Sequence, residues 1–286
     1  MIEPYDKHRI VHIKGVDHPE SIAIGPRGEA YTTGTGCQVY RVDLERNAVS
    51  VFASTRNRCL GQAVDAAGNL YCAETVLGAV VKITPDGQLS TYAGGPDKRP
   101  FMCANYPAFD RCGNMYLSDS GDWSGQLNGR LYKIPPGGGP ARLWYSEPLD
   151  TPNAIALDAA EDYLYFVETF GSAIARIAIR ADGSAGVFER VVHMPRHVPD
   201  GIAFDGEGRL WIACHRPDAL YVFDLQSRRL ELFVDDWMGE ALRGPTDIAF
   251  AGPQRDIMLA ASLDNLVLHR LDDTGVQGLA LNHPEL

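Results

Sequence analysis

Apolar and polar residues alternate along most of the chain in short runs that end at Gly, Asp, Asn or Pro. Alternation with a period of two predicts half-buried β-strands, because successive side chains of a strand point to opposite faces. The 29 glycines and 18 prolines are numerous enough to separate many such strands by turns. This pattern predicts an all-β protein and excludes helical solenoids, whose apolar positions follow the helical period of about 3.6 residues.

One arrangement of strands recurs six times along the chain. Each copy reads as an apolar strand, a turn built on Gly, Asp or Asn, and a second strand that often begins with an aromatic residue or Met. A third strand usually follows, such as QVYRVD or ALYVFDL, and then a fourth, such as VSVFA or LELFV. The copies begin with HPESIAIGPRGEAYTTG, CLGQAVDAAGNLYCAE, CANYPAFDRCGNMYLSD, TPNAIALDAAEDYLYFVE, VPDGIAFDGEGRLW and GPTDIAFAGPQRDIMLAA.

The spacing of the copies indicates the architecture. Equivalent positions at the start of the first strand recur every 40 to 48 residues, and they are Glu20, Leu60, Asn105, Asn153, Asp200 and Thr246. Four short antiparallel strands repeated at this spacing are typical of a β-propeller. We therefore predict an all-β, six-bladed β-propeller with four antiparallel strands per blade, which occupies residues 1–286 as a single domain.

The two ends of the chain are predicted to close the ring. Residues 8–14, HRIVHIK, alternate like a strand but precede the first copy. A ring of blades is closed when a terminal strand completes the last blade and leaves no open edge. We predict this role for the N-terminal strand, and we expect the tail after Gly278 to supply the strand beside it.

Composition and charge narrow the function. The net charge of −11 and the pI near 5.1 disfavour a nucleic-acid partner, because phosphate backbones would be repelled. No apolar run approaches the ~20 residues that span a bilayer, and the N-terminus lacks a secretory signal. Six scattered cysteines without a Cys-x-x-Cys pair favour a reduced, cytoplasmic protein, although a bridge between Cys103 and Cys112 stays open.

The six aligned positions predict a polar ring. First strands line the central channel of a propeller, so Glu20, Asn105, Asn153 and Asp200 should converge at one end of it. Two carboxylates at a narrow mouth repel each other unless a cation lies between them. Oxygen ligands from Glu20, Asn153 and Asp200 favour Ca²⁺, with Mg²⁺ and Mn²⁺ as alternatives and Zn²⁺ if one coordination position stays open.

A simpler interpretation competes with the metal site. Asp and Asn that precede a strand often cap a turn through bonds to backbone N–H groups. Any one of these residues could have that role. Four polar residues at six equivalent positions favour the metal site.

These residues resemble the SMP-30/gluconolactonase/regucalcin family, six-bladed propellers that hydrolyse lactones with one divalent metal. The resemblance covers nearly the full chain, and its most specific stretches are VPDGIAFDGEGRLWIAC and TPNAIALDAAEDYLYFVET. In that family a Glu of blade one, an Asn of blade four and an Asp of blade five hold the metal. The resemblance therefore implies that Glu20, Asn153 and Asp200 are the ligands.

The resemblance also implies substrate contacts in blade three. Asn105 matches an Asn that contacts metal-bound water or substrate, and Asp122 matches an acidic residue that faces the substrate. The chain departs from the family at Ser21, where many members read Glu-Gly-Pro, and at Cys103, where sugar-binding members carry Arg. Loss of that guanidinium favours a more apolar lactone or another ester over a heavily hydroxylated sugar lactone.

A mechanism follows from the ring and the resemblance. The metal polarises the lactone carbonyl, and Asp200 takes a proton from the attacking water and returns it to the leaving alkoxide. Trp123, in the long connector 118–129, is a candidate lid over the mouth, with an ordinary surface loop as the alternative. His215 is a candidate acid or substrate contact. We expect a small-molecule lactone or ester as the substrate.

Two other functions remain open at this point. One is a non-catalytic propeller of the NHL or sensor type that uses one face for binding. The other is a related metal-dependent hydrolase of esters or phosphotriesters, while strictosidine synthase shows that related propellers also catalyse metal-free condensation. A Gly-x-Ser-x-Gly motif is missing from the sequence, which disfavours a serine hydrolase. The two carboxylates of the ring favour the lactonase, since a scaffold has no need for them.

Overall fold

The computed structural model describes residues 2–194 and 196–286, and in these residues 25 strands form six sheets. The sheets are six blades in a ring, each built on four antiparallel strands. This confirms the predicted six-bladed β-propeller. Two 3₁₀ turns, Lys7–Arg9 and Pro96–Lys98, are the helical segments of this part of the chain.

Blades one to three follow each other along the chain. Blade one contains β2 (Ile22–Ile24), β3 (Ala30–Thr33), β4 (Gln38–Asp43) and β5 (Ala48–Ser54). Blade two contains β6 (Cys59–Val64), β7 (Leu70–Glu74), β8 (Ala79–Ile83) and β9 (Leu89–Gly94), with the short β13 (Gly139–Pro140) added parallel to β9. Blade three contains β10 (Ala104–Phe109), β11 (Met115–Asp119), β12 (Gly129–Ile134) and β14 (Arg142–Leu149).

Blades four to six complete the ring. Blade four contains β15 (Pro152–Leu157), β16 (Tyr163–Glu168), β17 (Ala173–Ile179) and β18 (Ala185–His193). Blade five contains β19 (Val198–Phe204), β20 (Leu210–His215), β21 (Asp218–Asp224) and β22 (Arg229–Asp236). Blade six contains β23 (Pro245–Ala251), β24 (Ile257–Ser262), β25 (Val267–Leu271) and, from the other end of the chain, β1 (Val11–Lys14).

Closure by the N-terminal strand is confirmed. β1 pairs antiparallel with β25, from Val11 opposite Arg270 to Lys14 opposite Val267. The expectation for the tail is wrong, because residues after Gly278 lie in no strand and β25 is the neighbour of β1. β1 occupies the position beside β25 that we expected the tail to take.

The tail instead covers one end of the central channel. Asn282 donates its side-chain N–H to the Phe109 carbonyl at 2.9 Å, and His283 Nδ1 lies 2.9 Å from the Val64 carbonyl. Between the tail and the first strands lies a cavity of about 160 Å³. Apolar residues from the first strand of every blade line it: Ile22, Val64, Phe109, Ile155, Ile202 and Ile248. Burial of this face explains why the first strands read as nearly continuous apolar runs.

A buried carboxyl group separates this cavity from the opposite end of the channel. Asp247 Oδ2 accepts the Ile22 N–H at 2.8 Å and the Tyr106 hydroxyl at 3.0 Å, which ties blade six to blades one and three. Burial raises the pKa of Asp247 to about 8, although these hydrogen bonds act in the opposite direction. Asp247 and Tyr106 directly follow the ring positions 246 and 105 and form the floor beneath the ring.

The structure also shows the state of the cysteines and the character of the helices. All six cysteines are free, so Cys103 and Cys112 are not bridged. Through residues 2–194 and 196–286, no helix combines the length and the apolar character that crossing a membrane requires.

The closing strand pair carries a buried histidine. His269 lies opposite His12 in the register of β1 and β25, and their Nδ1 atoms are 3.0 Å apart. The His269 side chain is fully buried, and its Nε2 contacts the Leu242 carbonyl. Burial lowers the pKa of His269 to about 4. Protonation of this residue in the folded state is therefore unfavourable.

We expect the contribution of His269 to the free energy of unfolding to fall by about 2 kcal/mol between pH 7 and pH 5, while the raised pKa of Asp247 acts in the opposite direction. The folded-state pKa of His269 lies below the unfolded value, so the unfolded chain binds the proton first and this contribution declines as the pH falls. Urea unfolding at the two pH values measures the change. The variant His269→Gln should lose most of it, whereas His8→Gln, at an exposed histidine of the N-terminal turn, should keep it. Equal pH dependence in all three proteins would contradict the assignment.

Candidate active site

The six aligned positions lie at the end of the channel opposite the tail. Five of them are the second or third residue of a first strand, and Glu20 lies two residues before the start of β2. Asn105, Asn153 and Asp200 are buried, and the Glu20 side chain is 16% exposed. The negative charge of Asp200 contributes to the raised pKa of Glu20, which means that the two carboxylates lie near each other.

Three blades hold their ring residue in the same way. In each, a polar side chain that ends or follows the second strand bonds the ring residue of the first strand. The pairs are Asn105 Nδ2 with Ser120 Oγ (2.7 Å), Asn153 Nδ2 with Thr169 Oγ1 (3.2 Å), and Asp200 Oδ2 with His215 Nε2 (3.2 Å). Among the described residues, no backbone N–H donates to the side chain of Glu20, Asn105, Asn153 or Asp200. These four residues therefore do not cap turns. Other aspartates do so, such as Asp205, which accepts the N–H groups of Glu207 and Arg209.

Hydroxyl groups link these pairs to the next blade. Ser120 Oγ donates to the Pro152 carbonyl at 2.8 Å, which connects blade three to blade four. Thr246 Oγ1 donates to the Glu20 carbonyl at 2.8 Å, which connects blade six to blade one. Because ring residues are held by their own blade and its neighbour, the packing of the propeller determines where they lie.

Close packing between blades also explains the glycine that follows Asp200. A Cβ atom on Gly201 would lie 2.4 Å from Asp247 Cα and 2.6 Å from the Thr246 carbonyl oxygen, both backbone atoms of blade six. A side chain there would force β19 and β23 apart. Gly201 therefore allows the strand that carries Asp200 to approach the axis.

Burial and mutual repulsion perturb both carboxylates. Burial, and then the charge of Asp200, raise the pKa of Glu20 to about 7 against the opposing effect of Arg58. Burial likewise raises the pKa of Asp200, although His215, Arg58 and Asn153 act in the opposite direction. Burial lowers the pKa of His215, but the hydrogen bond to Asp200 and the negative charges of Asp200 and Glu20 together outweigh this effect, and the net shift is upward. Such perturbed groups at a mouth are typical of functional sites.

Arg58 is a site residue that the sequence analysis missed. Its Nη2 donates to Glu20 Oε2 at 2.7 Å, and its Nε is buried without a hydrogen-bond partner among the described residues. The signal was present in the alignment of the blades. Arg58 stands two positions before Leu60, as Cys103 stands two positions before Asn105. The guanidinium expected in blade three thus enters the site from blade two.

The donor set at the mouth fits an oxygen-ligated divalent cation. Within the part of the chain that the structure describes, no group of three His, Cys, Asp or Glu side chains could hold a metal. The candidate set is instead Glu20, Asp200 and the Asn153 amide. Arg58 lies against Oε2 of Glu20 and His215 against Oδ2 of Asp200, so one oxygen of each carboxylate has no cationic partner among these residues. The repulsion between the two carboxylates favours a cation.

The remaining predicted residues lie around blade three. Trp123 Nε1 donates to Cys103 Sγ at 3.3 Å, which holds the connector after β11 against the start of β10. Asp122 is exposed, and its Oδ1 accepts the Ser124 N–H at 3.0 Å. Hydrogen bonds with Asn128 and Ser124 lower the pKa of Asp122 to about 2. The structure brings Trp123 to Cys103 and leaves Asp122 bonded within its own loop.

Comparisons with known proteins concern the family and the fold of the chain. A family model described as the SMP-30/Gluconolactonase/LRE-like region matches residues 38–263. Among curated proteins, STRICTOSIDINE SYNTHASE-LIKE 3 of Arabidopsis thaliana is 28% identical over 163 residues. That alignment covers 52% of this chain and 41% of the relative, so the chain spans about two fifths of the relative's length.

Two solved structures have the same fold. One is a gluconolactonase of Xanthomonas campestris, at 20% identity and a TM-score of 0.77, covering 94% of this chain and 89% of that one. The other is regucalcin of Agrobacterium tumefaciens, a calcium-binding protein, at 16% identity and a TM-score of 0.75, covering 93% and 92%. At these identities the two structures support the fold, and the functional argument depends on the site.

Proposed function

The chain belongs to the SMP-30/gluconolactonase/LRE-like family, and from that membership and the site geometry we propose that it is a metal-dependent lactonase. The family supports a lactonase-type function. The observation that carries the proposal is the pair of neighbouring carboxylates at the mouth of the propeller, the buried Asp200 and the largely buried Glu20, beside the amide of Asn153.

Glu20, Asn153 and Asp200 would hold the metal. Ca²⁺ is the preferred ion because all three side chains offer oxygen, and the similarity to a calcium-binding protein supports this choice. When bound, the ion polarises the lactone carbonyl and stabilises the oxyanion that forms there. Mg²⁺, Mn²⁺ and Zn²⁺ remain alternatives.

The Asp200–His215 pair handles the protons. Asp200 accepts a proton from the water that attacks the carbonyl carbon, and the acyl carbon–oxygen bond of the ring then breaks. The same proton returns to the ring oxygen, which leaves as an alcohol, while the acyl group becomes a carboxylic acid. His215, 3.2 Å from Asp200 Oδ2, orients the carboxylate and stabilises its charge between these two steps.

Arg58 and Asn105 orient the substrate in this proposal. The buried Arg58 Nε has a hydrogen to donate, and a substrate oxygen beside Glu20 would satisfy it. Asn105 is held by Ser120 through its Nδ2, so its Oδ1 can accept a hydrogen bond from water or substrate. The Arg58 donor suits the ester oxygens of a lactone, which accept hydrogen bonds, and the Asn105 acceptor suits the attacking water or a hydroxyl of the substrate.

The proposal is tested by the metal content of the purified protein and a pH-stat screen of small lactones. We expect about one divalent ion per chain and acid release from at least one lactone. Chelation should abolish acid release, and adding Ca²⁺ back should restore it. Neither metal nor hydrolysis across the screen would favour a non-catalytic binding propeller.

One observation favours a metal-free enzyme as a second candidate. Arg58 and His215 each place a cationic or protonatable group against one of the two carboxylates, so the site is partly neutralised by its own residues. Turnover that persists in chelator, without bound metal, would favour this candidate over the metal-dependent lactonase.

A further inference from the structure

Large apolar side chains are exposed along one half of the mouth. They lie on the connections beside the ring in blades two to four, where the second strands end and β10 begins. Val76 is 71% exposed, Met102 57%, Trp123 42% and Phe170 50%. Together with Leu77, these residues form what we call the apolar rim. Exposed apolar residues that are scattered singly need no explanation, but a contiguous patch marks a binding site.

Two hydrogen bonds and one contact between aromatic rings connect the segments that carry the apolar rim. The turn that carries Val76 and Leu77 meets the segment before Met102, because the Phe101 N–H donates to the Gly78 carbonyl at 2.8 Å. Cys103, the residue after Met102, accepts the Trp123 indole N–H. The Trp123 and Phe170 rings meet edge to face, with centroids 5.8 Å apart at 82°. The connections that carry the rim residues therefore adjoin one another from blade two to blade four, and the Trp123 and Phe170 rings are in direct contact.

The rim begins at the wall of the candidate site. Phe170 directly follows Thr169, whose hydroxyl holds Asn153, and Trp123 lies three residues after Ser120, whose hydroxyl holds Asn105. The indole N–H of Trp123 is already satisfied by Cys103, so the exposed part of the ring offers apolar surface. A ligand held at the ring would thus contact these aromatic side chains with any group that projects toward blades three and four.

The other half of the mouth mixes charged and apolar side chains, because Arg216 lies beside the exposed Trp237 and Met238. His215 ends β20 in blade five, Arg216 follows it, and Arg216 Nη2 lies 2.9 Å from Asp264 Oδ2 of blade six. An apolar group directed to this side would meet charged side chains. The Trp123–Phe170 pair is the apolar surface next to the residues that hold Asn105 and Asn153, so an apolar group of a ligand at the site would lie there without meeting these charges.

We propose that the substrate of this site is a lactone that carries an alkyl chain, with its ring at Asp200 and its chain on the Trp123–Phe170 part of the apolar rim. This inference depends on the proposed lactonase function. A chain that lies on an open rim loses about half of its contact with water. Each added methylene should then raise kcat/KM about twofold over the first few carbons.

The experiment compares γ-butyrolactone with γ-alkyl lactones of increasing chain length in the metal-loaded protein. We expect kcat/KM to rise with chain length in the wild type, and the slope to become nearly flat in Trp123→Ala and Phe170→Ala. Trp123→Phe should keep most of the slope. Met238→Ala is the matched control, because Met238 is 76% exposed on the connection after β22 and outside the rim.

Binding of γ-alkyl lactams, measured by calorimetry, separates this inference from the proposed function. Amides resist hydrolysis, so their affinity reports the rim whether or not the protein turns over lactones. Affinity that rises with chain length, and loses that dependence in the two alanine variants, supports the inference even if no lactone is hydrolysed. Two results would overturn the inference. One is that neither kcat/KM for lactones nor the affinity for lactams changes with chain length. The other is that both depend on chain length as strongly in the alanine variants as in the wild type.

Discussion

Asp200→Ala is expected to lower kcat by about 10²-fold to 10⁴-fold, which is the contribution of a general base. In the proposed mechanism Asp200 both holds the metal and moves the proton, so neither role survives the substitution. The fold should persist, because Asp200 bonds His215 through its side chain and takes no part in a turn. Burial raises the pKa of Asp200, which means that its buried charge is costly. Initial rates in the pH-stat, together with the thermal unfolding temperature, measure both effects.

Two further variants make this result specific. Asp200→Asn retains an oxygen ligand but cannot accept the proton, so it should bind metal more weakly and remain almost inactive. Asp182→Ala removes an exposed aspartate from a turn of blade four and should leave kcat unchanged. Substantial turnover by the Asp200→Ala protein would show that Asp200 is not the general base.

Glu20→Gln is expected to weaken Ca²⁺ binding by at least about 100-fold, because the site loses one of its two charged ligands. The amide keeps the size of the side chain and an oxygen. It also removes the repulsion that Glu20 and Asp200 exert on each other, so stability without metal should not decrease. Calorimetric titration with CaCl₂ measures the affinity directly, independently of any activity.

The control for this variant lies in the same blade. Glu45→Gln removes an exposed carboxylate from the turn between β4 and β5, far from the ring positions along the strand, and should bind Ca²⁺ like the wild type. Equal affinities of Glu20→Gln and the wild type would place the cation elsewhere. Ca²⁺ binding by neither protein would support the metal-free site with Arg58.

Repetition explains why the fold could be predicted so completely. Any single strand pattern is ambiguous, but six copies at nearly constant spacing limit the architecture to a ring of equal blades. The N-terminal strand was predictable for the same reason, since the sixth copy needed an outer strand. The tail was not predictable, because the residues after Gly278 alternate only weakly and join no sheet. Their hydrogen bonds go to carbonyl groups at the channel end, such as those of Val64 and Phe109.

Equivalent positions also placed the ring residues, while their partners escaped prediction. An alignment of copies shows that Glu20 and Asp200 lie at one end of the channel. It does not show that His215 faces Asp200, because this depends on how β19 and β20 are paired at their ends. Nor does it show that Arg58 crosses from blade two to Glu20 of blade one. Contacts between blades depend on side-chain direction, which a repeat spacing does not contain.

The sequence by itself therefore determined the number of blades, the closing strand and the group of polar residues at one end of the channel. It could do so because local alternation and long-range repetition are both written along the chain. Only the tertiary structure decided which charged groups form pairs and where the apolar side chains of the rim lie at the mouth. Those properties arise where side chains of different blades meet. Blade three has Cys103 where a guanidinium was expected, and Arg58 of blade two supplies one at the site. The apolar rim lies on the connections of blades two to four, where the Trp123 and Phe170 rings meet.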